Sequence, residues 1–78
     1  MMEIKVLGTG CPKCKALEKA TKEAVEKTGI NANITKVEDI VEIMQFGVMT
    51  TPALVIDGKV VLKGRIPSVD ELTQLITK

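Results

Sequence analysis

Ile4-Lys5-Val6-Leu7-Gly8-Thr9-Gly10-Cys11-Pro12-Lys13-Cys14 is the stretch on which the fold of this chain turns. Glu3 to Leu7 reads as a strand, and the glycines of Gly8-Thr9-Gly10 allow a sharp turn after it. Pro12 fits the first position of a helix, where a missing N–H costs nothing. Cys11 and Cys14 are the two cysteines of the chain, and this junction is expected to place the first sulfur beside the unpaired N–H groups and positive dipole end of a helix, which stabilise a thiolate. The pair is therefore a redox or metal-binding candidate. A bridge between residues three apart adds only about 2 kcal/mol in the chain-entropy model, so it is a poor structural staple.

Downstream, Leu17, Ala20, Ala24 and Val25 recur at helical spacing, with Glu18/Lys22, Glu23/Lys27 and Lys19/Glu23 as i,i+4 pairs on the outer face and Gly29 as the stop. Ile30, Ala32 and Ile34 alternate with Asn31, Asn33 and Thr35, which predicts a strand with one covered face and an open question over its tail, Lys36-Val37. A short helix is expected from Asp39 to Phe46, with Ile40, Ile43 and Met44 on one face and Gly47 as its cap. Ala53-Leu54-Val55-Ile56 and Lys59-Val60-Val61-Leu62-Lys63 flank Asp57-Gly58, a strong signal for a two-residue antiparallel hairpin. Ser68-Val69-Asp70-Glu71 has the form of a capping box, and Leu72, Leu75 and Ile76 give the helix behind it an inward face. The expected order is β-α-β-α-β-β-α: an α/β fold with a four-stranded mixed sheet, its first two strands parallel, flanked by three helices.

The chain has 78 residues, 45% apolar and 27% charged, values of an ordinary globular sequence, and is read as one domain over residues 1–78. Its 11 basic and 10 acidic residues are interspersed, for a net charge of +1, so no footprint for nucleic acid or an anionic membrane is present. Phe46, the sole aromatic residue, leaves nothing for base stacking. No stretch has the pattern of a signal peptide or a membrane span, and a cytoplasmic location is expected. In a reducing cytosol, paired cysteines favour catalysis or metal binding over structure.

A strand feeding Cys11-Pro12-Lys13-Cys14, then Gly47-Val48-Met49-Thr50-Thr51-Pro52, then a hairpin at Asp57-Gly58 and a closing helix together resemble the thioredoxin and glutaredoxin superfamily, most closely its small archaeal and bacterial redox-active disulfide proteins. The resemblance covers nearly the whole chain. It implies a thioredoxin-like fold and a thiol–disulfide oxidoreductase in which Cys11 attacks a substrate disulfide and Cys14 resolves the mixed disulfide. It implies a cis peptide bond before Pro52, turning the backbone of Thr51 toward an extended substrate segment, with Met49, Thr50 and Gly64 lining the same shallow surface. The partners implied are proteins with disulfides and a reductase or dithiol donor, acting on a monomer without cofactor or metal. Two positions depart from thioredoxins: Gly10 replaces the usual Trp before the first cysteine, and Lys5 stands where a buried carboxylate is usual. The resemblance thus carries over no proton-shuttle group, and no glutathione-binding set can be traced.

Plainer readings remain beside these. Lys13 and Lys15 are solvated first-turn lysines and stay outside the catalytic set. Gly47 and Gly64 serve as backbone punctuation, Thr50 and Thr51 as strand-entry residues, and Pro52 as a loop end. The rival of another class is a soft-metal binding or chaperone domain that uses the same cysteines for Cu(I). That fold ends on a strand and has a Met at the position of Thr9 here. A structural zinc site wants four ligands, and the chain offers two cysteines and no histidine.

Overall fold

The structure is a computed structural model that describes residues 2–10 and 12–77. Cys11 lies outside the described residues. The elements are β1 (Met2–Leu7), α1 (Pro12–Thr28), β2 (Ala32–Val37), α2 (Ile40–Gln45), β3 (Ala53–Ile56), β4 (Lys59–Lys63) and α3 (Val69–Thr77). They form one sheet in the order β2-β1-β3-β4, with β1 parallel to β2 and antiparallel to β3, and β3 antiparallel to β4. The thioredoxin-like arrangement and element order expected above are present. The last described element is a helix, which separates this topology from the strand-terminated soft-metal domain.

Alternation along the central strands divides the core into two layers, as period-two geometry requires. Ile4 and Val6 of β1, with Leu54 and Ile56 of β3, face α1 and α3 and pack with Leu17, Ala24, Leu72 and Ile76. Leu7, Ala53 and Val55 face the other way and pack with Val37, Ile43 and Val48 below α2. All four residues of β3 are buried, the pattern of a strand covered on both faces. Leu17 and Leu72 are fully enclosed, and each such side chain contributes roughly 1.5–3 kcal/mol through removal from water.

Several boundaries and faces differ from expectation for identifiable reasons. β2 begins at Ala32 rather than Ile30, and its tail, Lys36-Val37, stays in the ladder because Val6 and Leu7 pair with it. Asp39 caps α2 instead of joining it: its side chain accepts a hydrogen bond from the Val41 N–H at 2.9 Å. Phe46 is the C-terminal cap, and Gly47 follows at φ +77°. Of the expected apolar face of α2, Ile43 is buried while Ile40 and Met44 are exposed. The three share a face, but only Ile43 reaches the core layer under the helix. Lys27 pairs with Asp70 of α3 at 3.7 Å, tying the two helices on that face.

The hairpin follows its sequence signal. Asp57 and Gly58 have φ of +49° and +84°, both in the region that the tight primed turn demands. The Asp57 carboxylate accepts from the Glu3 N–H at 2.9 Å, and the Asp57 N–H donates to the Glu3 carbonyl at 2.8 Å. At the start of α3, Ser68 Oγ accepts from the Glu71 N–H at 3.1 Å. The Glu71 carboxylate completes no capping box, because Arg65 takes it in a two-pronged pair, Nη1 to Oε1 at 3.0 Å and Nη2 to Oε2.

Candidate functional site

Cys14 sits on the first turn of α1 and is 6% exposed. Its place is set by the end of β1, where the Gly8 N–H donates to the Val37 carbonyl at 3.0 Å and locks the ends of β1 and β2 together. A Cβ built on Gly8 would lie 2.2 Å from the Cys14 sulfur and 2.9 Å from its Cβ. Gly8 was expected to serve the turn, but the positive φ there belongs to Gly10, at +88°. Gly8 makes room for the thiol instead.

A cavity of about 40 Å3 adjoins Cys14, bounded by Val6, Gly8, Gly10, Cys14, Lys15, Lys36 and Glu38. Lys36 is tied to Glu18 at 3.6 Å. Lys5 contributes nothing to this side: its ammonium lies over the Phe46 ring, 5.2 Å from the centroid, in the layer below the sheet. Glu38 and Lys36 escaped the sequence reading because no local spacing relates them to Cys14. The parallel register of β1 and β2 brings them there, and only the pairing of Leu7 with Val37 reveals it.

The Thr51–Pro52 peptide bond is cis. Pro52 is buried, and its carbonyl accepts from the Gly64 N–H at 2.8 Å. Gly64 lies close to the Thr50 hydroxyl, 3.5 Å from where a Cβ on Gly64 would stand. The structure therefore brings Thr50, Pro52 and Gly64 together. Met49 is 94% exposed and, with Thr51, opens instead onto a shallow apolar groove of about 180 Å3 lined by Ile40, Ile43, Met44 and Val48. Ile40, Ile43 and Met44, expected on one face of α2, share the lining of that groove. Among the described residues, no cluster of three or more Cys, Asp or Glu side chains could hold a metal ion, and no helix is long and apolar enough to cross a membrane.

A buried sulfur at a helix start, beside a strand end and in a chain with a cis-proline loop ahead of a hairpin, is the arrangement of one class of redox proteins. The family model for the thioredoxin domain matches residues 2–77, and the chain belongs to the thioredoxin family. It is 36% identical over 77 residues to a thioredoxin of Methanothermobacter thermautotrophicus, covering 99% of this chain and 100% of that protein. A thioredoxin of Methanocaldococcus jannaschii is 45% identical over 74 residues, covering 95% of this chain and 85% of that one. The solved structure of a thioredoxin-2, described as a component of malaria parasite protein secretion machinery, has a TM-score of 0.75 at 15% identity and covers 99% of this chain and 82% of that chain. That likeness concerns the fold. The protein is a thioredoxin-like redox protein, of a family whose general activity is thiol–disulfide oxidoreduction.

Proposed function

We propose that this chain exchanges a Cys11–Cys14 dithiol for the disulfides of protein substrates. Cys11 attacks a substrate disulfide, and Cys14 then attacks the mixed disulfide, releasing the reduced substrate and leaving Cys11 joined to Cys14. The observation that carries this reading is the position of Cys14: its sulfur is buried on the first turn of α1, in the notch left by Gly8. Such shelter suits a resolving thiol, because an exposed one could itself attack a second substrate disulfide instead of resolving the first. Thr50, Thr51, Pro52 and Gly64 would receive the segment flanking the substrate disulfide, with Met49 as an apolar contact at its edge. A reductase or small dithiol would return the electrons. We assign this work to residues 1–78 as one domain, acting as a monomer in the cytoplasm.

The test is a titration of metal-free protein through defined dithiothreitol and glutathione buffers, with alkylation of remaining thiols and mass measurement of the oxidised fraction. The expected result is a reversible two-electron couple between about −300 and −180 mV, the span from thioredoxin-like to isomerase-like poise. Failure to form the Cys11–Cys14 bridge reversibly would overturn the exchange reading.

A further inference from the structure

We propose that Glu38 takes the proton from the Cys14 thiol when that thiol attacks the mixed disulfide, an inference that rests on the exchange reaction above. A thiol must lose its proton before its sulfur becomes a strong nucleophile. Cys14 is 6% exposed, so its proton leaves through whatever adjoins the sulfur. Cys14 lines a cavity of about 40 Å3 at the meeting of β1, β2 and α1. A water needs about 10–15 Å3 of such space, so the cavity has room for a bridging water.

Three charged side chains border that cavity: Lys15 from α1, Lys36 from β2, and Glu38 one residue beyond β2. No titratable side chain of α2, β3, β4 or α3 reaches it among the described residues. An ammonium has no lone pair to accept with, so the carboxylate is the acceptor. Lys36 is engaged by Glu18, whereas no ion pair among the described residues involves Glu38. The two glycines of one turn keep the path open. Gly8 faces the sulfur, and a Cβ on Gly10 would stand 3.3 Å from Glu38 Oε2. Lys5, on the other face of β1 above Phe46, offers no acceptor there.

The step balances as follows. The Cys14 S–H bond breaks and its proton passes through one water to the Glu38 carboxylate. The thiolate attacks the Cys11 sulfur, forming the Cys11–Cys14 bond as the bond from Cys11 to the substrate sulfur breaks. The electron pair departs on the substrate sulfur, which takes up a proton. The substrate disulfide has gained two electrons and the dithiol has lost two.

Stopped-flow reaction of the reduced protein with stoichiometric dithiobis(nitrobenzoate) separates the two attacks, because each releases one coloured thiolate. In Glu38→Gln the first release should match the native protein, and the second should slow at least about tenfold at neutral pH, the modest end of what a positioned acid–base group supplies. Glu38→Asp should recover part of the loss. The gap should narrow as pH rises, because hydroxide can then take the proton in place of the missing carboxylate. A second release equal to native at every pH, or one slowed equally at every pH, would overturn the role of Glu38. Native protein that gives the first release and no second would overturn the exchange reaction itself.

Discussion

Gly8 and Cys14 share one volume: a Cβ on Gly8 would lie 2.2 Å from the sulfur of Cys14, so the strand end and the helix start fit only because position 8 carries no side chain. Gly8 does not have a positive φ, which means its substitution tests the contact and not the backbone. Gly8→Ala should lower stability by about 1–3 kcal/mol, the usual range for an overpacked core position. The loss should shrink in a Cys14→Ala background, where the sulfur is gone. Denaturant unfolding of the four proteins of that double-mutant cycle checks both. Equal losses in the two backgrounds would show that the two residues do not compete for space.

The divided character of α2 makes a second contrast. Ile43 is 1% exposed and Ile40 is 57% exposed, although both are isoleucines on one short helix. Ile43→Ala should cost about 2–5 kcal/mol as a buried deletion. Ile40→Gln should stay within about 0.5 kcal/mol, as surface changes do. Urea midpoints for the two variants give the comparison directly.

Asp57 holds the hairpin to β1 while adopting φ of +49°. Asp57→Ala removes the acceptor for the Glu3 N–H and places a residue that resists the left-handed region in the turn, a combined loss of about 1–2 kcal/mol. Asp57→Asn keeps an acceptor oxygen and tolerates that backbone, so it should remain near the native stability. Thermal unfolding of the pair separates the two contributions from nonspecific damage.

The Arg65–Glu71 pair gives stability a dependence on pH. The side-chain hydrogen bond from Arg65 is the main cause that holds the Glu71 carboxyl below its ordinary range, and the same bond raises the Arg65 guanidinium. With the folded value depressed, the unfolded chain binds more protons through this interval. The stabilisation is then complete above the ordinary Glu value of about 4.3 and lost as pH falls through the folded value. Glu71→Gln should flatten the acid limb of stability against pH slightly, since the pair is solvent-exposed and screened. Denaturation midpoints at neutral pH and near pH 3, below the ordinary carboxylate value, test the sign; an unchanged acid limb in the variant would remove the pair from the account.

What the sequence disclosed was what local chemistry dictates. Asp57-Gly58 specifies its turn through two positive φ values, and Pro12 and Ser68 mark helix starts through the backbone groups each lacks or supplies. What stayed hidden depends on register between distant strands. That Gly8 serves a sulfur, that Glu38 borders the same cavity, and that Glu71 turns from its capping box to Arg65 are relations between residues with no fixed spacing. Ile40 and Met44 follow helical periodicity faithfully and yet line an open groove, because periodicity reports which residues share a face and not whether anything covers it.

The antiparallel pairing of β1 with β3, which sets Leu7 against Ala53, has a consequence for synthesis. β1 leaves the ribosome before both of its neighbours and can take β2 first, but its other edge stays bare until β3 has emerged. The native sheet is completed only when the hairpin joins it, a non-local pairing that pays its loop-closure entropy first.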